Sequence, residues 1–256
     1  MSDARLAAVL SGPRAGWALS LYPAAAEGGG CFVSSRRTVP TYVPRGQARD
    51  PQRAAQEAAR RAKSKLRRYC AANQLNRLGT LTYGPPRCTD PAQVRQHAGL
   101  FFRALRADVG GNPMPYVWVP ELHKDRVHFH VHFALGRYVP VRVIRSTWGR
   151  GHVDIRQLSD LPVGSGAIDE ARKAAGYLSK YVTKTFLDPT TRVPGMHRYD
   201  VAQGFAPQSV RLWGRSADYV VGQASEMFGQ SPARRWSSAD EEAWAGPPAI
   251  WAQWGR

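Results

Sequence analysis

The chain has 256 residues, 43% of them hydrophobic, which suits one sizeable α/β domain with extensions, or two small domains, and argues against global disorder. No apolar run approaches the roughly 18 residues needed to cross a bilayer, and the N-terminus lacks a signal-peptide core and cleavage site, so a soluble, cytoplasmic protein is expected. Thirty-six Lys and Arg against 19 acids give a net charge of +17, which points to a polyanionic partner because each neutralised phosphate releases counterions.

Residues 200–256 hold five basic and six acidic side chains, so the excess lies upstream. Charge alone leaves DNA, RNA and anionic membrane equivalent. Cys31, Cys70 and Cys88 form no CxxC pair, so neither a disulfide framework nor a thiolate zinc site is expected.

Residues 1–50 read as a partly ordered arm with one or two strands. From Pro51 to Asn73 a helix is predicted, with Pro in its first turn and an Ala-rich interior. It carries Arg53, Arg60, Arg61, Lys63, Lys65, Arg67 and Arg68 against the single acid Glu57. The mutual repulsion of these cations is offset if phosphates lie against them, which makes Arg60, Arg61, Lys63, Lys65, Arg67 and Arg68 candidate phosphate contacts. Leu78–Tyr83 (LGTLTY) reads as a strand ending at Gly84-Pro85-Pro86. Pro91 to Asp108 fits an amphipathic helix with Val94, Ala98, Phe101 and Leu105 on its core face.

Tyr116–Leu122 and Val127–Leu135 are then two strands of an antiparallel hairpin. A short helix over 141–147, a strand from His152 to Gln157 and a helix from Asp169 to Phe186 follow. Beyond Pro189 the pattern weakens, with strand candidates at Val210–Trp213 and Tyr219–Val221. Five of the eight tryptophans (Trp213, Trp236, Trp244, Trp251 and Trp254) fall in this last part, either packed on the body or available to stack on bases. The expected division is an arm over 1–50, a core domain over 51–222 and a Trp-rich extension over 223–256.

Four of the seven histidines, His123, His128, His130 and His132, fall within ten residues. In a strand, positions i, i+2 and i+4 share a face, so His128, His130 and His132 align while Phe129, Val131 and Phe133 enter the core. Neutral imidazoles so aligned are good ligands for divalent metals. With Lys124 and Asp125 as the turn, Glu121 lies across from His128; moved by one residue, the turn sets Glu121 opposite His130. Two imidazoles and a carboxylate with open positions suit Mg²⁺ or Mn²⁺ better than a closed zinc site.

Gly176–Thr185 reads GYLSKYVTKT. Tyr177 and Tyr181 are four apart, as are Lys180 and Lys184, so each pair projects from consecutive turns of a helix with a lysine three positions after each phenol. A phenol with a pKa near 10 is a poor nucleophile until its anion is stabilised, and adjacent ammonium groups favour the phenolate. Taken alone, the segment also reads as an ordinary amphipathic helix with half-buried tyrosines and snorkelling lysines.

Together these segments resemble the HUH endonuclease superfamily of replication initiators and relaxases. LGTLTY is similar to its first motif, HFHVHF (His128–Phe133) contains the histidine–hydrophobe–histidine motif twice over, and YLSKYVTK (Tyr177–Lys184) resembles its two-tyrosine signature. The text around them looks most like rolling-circle replication proteins of actinobacterial phages and plasmids. The resemblance implies an α+β fold with a central five-stranded antiparallel sheet flanked by helices. The histidines sit on a central strand and the tyrosine helix lies over them.

It also implies a divalent ion, Mg²⁺ or Mn²⁺, on His130 and His132. His128 is then a third ligand or phosphate contact, and Glu121 a candidate acid; His128 with His130 is the alternative register. Tyr177 and Tyr181 are implied nucleophiles, with Lys180 and Lys184 beside them, acting on single-stranded or origin DNA through a 5′-phosphotyrosine. No GxxxxGK[ST] pattern is present, so a host or phage helicase is implied and ATP is not. Two other readings share these residues: an HUH-type transposase acting on transposon ends, and a non-catalytic basic DNA-binding protein using the tyrosines as stacking platforms.

Overall fold

A computed structural model describes residues 15–35, 43–44, 47–156, 166–188 and 197–255. The chain divides into two compact units, Arg45–Pro207 and Met1–Pro44 with Gln208–Arg256. Both are α+β, each built on a five-stranded antiparallel sheet.

The Arg45–Pro207 unit opens with α1 (Pro51–Ala72), where the Asp50 side chain accepts from Arg53 N at 2.9 Å and Pro51 fills the first turn. Its buried residues Ala59, Leu66, Tyr69 and Cys70 recur at helical spacing. Next come β3 (Arg77–Tyr83), α2 (Pro91–Asp108), β4 (Tyr116–Leu122) and β5 (Phe129–Leu135). These are followed by α3 (Val141–Trp148), β6 (Gly151–Arg156), α4 (Ala167–Leu187) and the short β7 (Asp200–Val201). Gln157, the expected end of β6, lies outside the described residues.

The strand order β6-β3-β5-β4-β7 puts β5 at the centre. Alternation along β5 decides both faces. Phe129, Val131, Phe133 and Leu135 pack with Phe101, Phe102 and Leu105 of α2 and Ile144 and Trp148 of α3. Ala134, on the other face, joins Leu66 and Cys70 of α1 and Ala174, Ala175, Leu178 and Val182 of α4. The unit is thus three layers, with the histidines of β5 turned towards the α1/α4 side. Gly79 of β3 is required by the opposite layer, since a Cβ there would collide with the Phe133 ring.

In the second unit, β1 (Gly16–Tyr22), β2 (Glu27–Val33), β8 (Val210–Gly214), β9 (Arg234–Ser237) and β10 (Ala249–Gln253) pair in the order β8-β1-β2-β10-β9. The helix α5 (Ala217–Phe228) packs Val220, Val221 and Ala224 against Leu19, Leu21, Ile250 and Trp254. Its presence corrects the expected strand at Tyr219–Val221. Ser216 caps the helix by accepting from Tyr219 N at 3.1 Å, and the apolar residues recur at helical, not alternating, positions.

The expected boundaries at 50 and 222 differ from this division. Strands from the first 35 residues hydrogen-bond to strands from the last 49, a long-range pairing that local pattern does not reveal. The tryptophans divide too: Trp254 is fully buried, stacked on Phe228 and donating to Ser225 Oγ at 3.1 Å, whereas Trp213 is 43% exposed.

Candidate functional site

The register of the sheet assembles the site in two rows across three or four strands. Glu121 of β4 pairs with His130 of β5, which pairs with Thr82 of β3, which pairs with His152 of β6. One step along, His132 pairs with Thr80, and Thr80 with Asp154. Of the two turn positions left open by the sequence, the one placing Glu121 opposite His130 is realised.

Each imidazole is held from behind by a threonine. Thr80 Oγ1 is 3.0 Å from His132 Nδ1, and Thr82 Oγ1 is 2.9 Å from His130 Nδ1. His132 is buried, and its Nε2 lies 2.9 Å from Glu121 Oε2. The other carboxylate oxygen, Oε1, is 3.3 Å from Lys184 Nζ. Burial works against ionisation of Glu121, but the hydrogen bonds and charges of His132 and Lys184 outweigh it and hold its pKa below the ordinary value. Burial, then the charges of His123 and His132, lower the pKa of His130, which keeps that ring neutral and its lone pair available near pH 7.

The helix α4 brings the phenols onto this face. Tyr181 lies on the His132 ring with centroids 3.9 Å apart and planes 10° from parallel, and Tyr177 stands edge-on to the same ring at 6.3 Å. The Tyr181 hydroxyl donates to the Tyr177 oxygen at 2.7 Å. Burial, followed by this hydrogen bond, pushes the Tyr181 pKa far above the ordinary phenol value. Asp169 and Glu170 in the first turn of α4 and Lys184 in the last complement its dipole.

Not every expected residue joins this cluster. His128 precedes β5 and sits in the hairpin loop, where Asp125 Oδ2 takes its Nδ1 at 2.7 Å. It therefore stands apart from His130 and His132, against the expected alignment, because Asp125 also accepts from Val127 N and His128 N and curls the chain there. Lys184 bonds to Glu121, not to a phenol, and Lys180 lies 5.9 Å from the centre of the Tyr177 ring. Arg60, Arg61, Lys63 and Lys65 are exposed on α1, while Arg67 and Arg68 are half-buried. Arg61 pairs with Glu57 at 3.4 Å.

Three contributors were not singled out in the sequence. His123 stacks on His130 with centroids 4.8 Å apart, Arg156 places its guanidinium 4.8 Å from the centre of the Tyr177 ring, and the paired threonines sit behind the histidines. The i, i+2 spacing of Thr80 and Thr82, matching that of His130 and His132, was the available signal for the last.

This stretch has a counterpart elsewhere. Residues 76–186 match the replication-associated protein family that takes its name from ORF2. The match supports a replication initiator protein. It runs from the residue before β3 to the last turn of α4, so it takes in Thr80, Thr82, Glu121, His130, His132, Arg156, Tyr177 and Tyr181, and leaves out the basic helix α1. No curated protein and no solved structure matches the chain. No helix among the described residues is long and apolar enough to cross a membrane.

A resident divalent ion can be tested on the donor set. Two imidazoles and a carboxylate share one face, and each Nδ1 already has a hydroxyl partner, which is how metal-binding histidines are usually oriented. Among the described residues no three His, Cys, Asp or Glu side chains stand as a ready-made cage, since Glu121 is closed onto His132 and Lys184. The chemistry of the set fits a hard or borderline cation.

Proposed function

We propose that the chain is a replication initiator endonuclease of the HUH type, nicking and rejoining single-stranded or origin DNA through a 5′-phosphotyrosine with Mg²⁺ or Mn²⁺. The observation that carries this reading is the stack of Tyr181 on His132, with Tyr177 hydrogen-bonded beside it. Nucleophile candidates and metal-ligand candidates lie within one phosphodiester's reach of each other. The replication-associated match favours an origin over transposon ends as the substrate.

His130, His132 and Glu121 would hold the ion, which when bound supplies charge stabilisation at the phosphoryl oxygens. Binding needs the Nε2 lone pair of His132, whose Nε2–H now faces Glu121. A threonine hydroxyl both donates and accepts, so the His132 proton can move to Nδ1 and Thr80 still keeps its hydrogen bond. Lys184 keeps Glu121 ionised.

In the nicking step the Tyr177 oxygen, its proton lost, attacks phosphorus; the bond from phosphorus to the 3′-oxygen breaks, and the leaving 3′-oxygen takes up a proton to become a 3′-hydroxyl. Tyr181 donates to the attacking oxygen and so favours its anion. The Arg156 guanidinium over the Tyr177 ring adds positive charge where the phosphate would sit. Reversal of the step by a second strand's 3′-hydroxyl rejoins DNA without ATP. The basic face of α1 would carry the flanking phosphates, and strand opening falls to a separate host or phage helicase.

The test incubates the full chain with Mn²⁺ and labelled single strands from its own replicon. A protein–DNA adduct stable to denaturing gels, lost with EDTA and in Tyr177→Phe/Tyr181→Phe, is expected. Cleavage without an adduct overturns the tyrosine chemistry in favour of metal-activated water; binding with no cleavage returns the chain to a non-catalytic DNA-binding protein.

A further inference from the structure

A second concavity opens at the end of β3, on the other side of the sheet from the histidine face. After Thr82, whose hydroxyl meets His130, the chain turns Tyr83 to the α2/α3 side and runs through Gly84-Pro85-Pro86 to Arg87. The cavity there has a volume of about 530 Å³, within the range of small-ligand sites and ample for a nucleoside. Tyr83, Arg87, Gln93, His97 and Arg150 are among its walls. The one carboxylate on the wall, Asp90, is committed to capping α2, accepting from Ala92 N at 2.9 Å.

The lining separates into charged and neutral parts. Arg87 and Arg150 are exposed cations, and Arg150 leans on the Trp148 ring with its guanidinium 5.9 Å from the centroid. Between them Tyr83 and His97 form a neutral wall, Tyr83 OH lying 3.2 Å from His97 Nδ1. Burial holds Tyr83 protonated, and burial followed by the charge of Arg150 keeps His97 neutral. Gln93 offers a carboxamide able to read the hydrogen-bonding edge of a base.

The cavity also adjoins the histidine face directly. Cys88 O accepts from Phe129 N at 3.2 Å, so the segment bearing Arg87 is bonded to the residue that precedes His130. On the far side, Gly84 N donates to Arg150 O at 2.8 Å and closes the rim.

We propose that this cavity receives one base of single-stranded DNA, from the nucleotide next to the phosphodiester at the histidine face, with Arg87 on the intervening phosphate and Gln93 and His97 at the base edge. It is a specificity pocket, and it rests on the nicking function proposed above. A base here fixes which phosphodiester is presented to Tyr177, so the pocket sets the position of the nick along a strand.

The test uses the full chain in EDTA and single strands that it selects from a random pool. Each position of a selected strand is made abasic in turn, and binding is followed by fluorescence anisotropy. In the wild type, one position is expected where loss of the base weakens binding about tenfold. Thr89→Trp, which fills the exposed rim, and Gln93→Ala are expected to remove that sensitivity and leave the rest of the scan unchanged. Both replaced side chains are exposed, so unaltered thermal unfolding checks that the variants fold.

A variant scan that superimposes on the wild-type scan overturns the pocket, as does failure to select any strand. Adduct formation with Mn²⁺ is read separately. Altered scans without any wild-type adduct keep the pocket and remove the nicking chemistry; an adduct with unaltered scans does the reverse.

Discussion

The ring of Tyr181 lies flat on the imidazole of His132, with centroids 3.9 Å apart, so a helix and a strand meet through the two side chains that their chemistry would need together. The contact is also structural. His132 is buried, has Thr80 at its Nδ1 and Glu121 at its Nε2, and supports the phenol above it. Replacing it with alanine removes the stack and both hydrogen bonds. His132→Ala is expected to cost about 2 kcal/mol or more, read as a fall of several degrees in Tm by calorimetry. His132→Phe, which keeps a ring against Tyr181, should recover part of that loss; equal Tm values for the two variants would show that the stack contributes nothing.

The two phenols have different surroundings, so their variants should differ. Tyr181→Phe keeps the ring on His132 and deletes the hydroxyl that donates to Tyr177. Its stability should stay within about 1 kcal/mol of wild type, while the rate of adduct formation in Mn²⁺ falls. Tyr177→Phe, on the proposed chemistry, removes the attacking oxygen and should slow the first cut about 1000-fold. Single-turnover gels with each variant would reveal a reversed order of severity if Tyr181 attacks first.

Thr82→Val deletes the hydroxyl that holds His130 Nδ1 and changes little else in shape. Loss of such an orienting hydrogen bond lowers metal affinity about 10- to 100-fold. Titration with Mn²⁺ by electron paramagnetic resonance, wild type against variant, gives the value directly. An unchanged affinity would mean that His130 is not a ligand.

Acid should loosen the β4–β5 hairpin through Asp125. Its carboxylate accepts from His128 Nδ1, Val127 N and His128 N, which hold its pKa well below the ordinary 3.8. A depressed folded-state value means that the stabilisation is fully present above the unfolded pKa and is lost as pH falls through the folded one. The wild-type hairpin should therefore keep its amide protection down to about pH 4 and lose it in stronger acid. Asp125→Asn should show weaker protection at neutral pH and no such acid step, followed by hydrogen exchange of residues 123–129.

Lys63 and Lys65 are exposed on α1, and their removal should weaken DNA binding without regard to sequence. The slope of log K against log salt for a single strand should fall by about 0.7 for each lysine that neutralises a phosphate. Unchanged slopes in Lys63→Ala/Lys65→Ala would place the strand elsewhere.

Most of the first unit was legible in the sequence because its signals are local. Pro51 and Pro91 mark helix starts, Gly84-Pro85-Pro86 ends β3, and the alternation from Phe129 to Leu135 fixes which residues of β5 face the core. Glu121 and His130 could be brought to one face by counting, but the choice between two turn positions depended on Asp125, whose side chain bonds three groups of the loop. That same capture took His128 away from the pair. Lys184 was expected at a phenol and lies at Glu121 instead, because a carboxylate is a stronger partner for an ammonium than a neutral hydroxyl. Arg156 was hidden for another reason: its approach to Tyr177 joins a strand and a helix that spacing within either one cannot relate. The second unit was the least legible, since β1 and β2 find their partners only at the far end of the chain.

The hydrogen shared between the Tyr177 and Tyr181 oxygens makes the two behave as a couple. A negative oxygen on Tyr177 is steadied by its neighbour, and a second negative oxygen alongside it is opposed. Under the proposed chemistry, one phenol therefore stays dormant while its companion carries the DNA end, and wakes only when that end is released. Succession, first one and then the other, is written into a single short contact between adjacent turns of a helix.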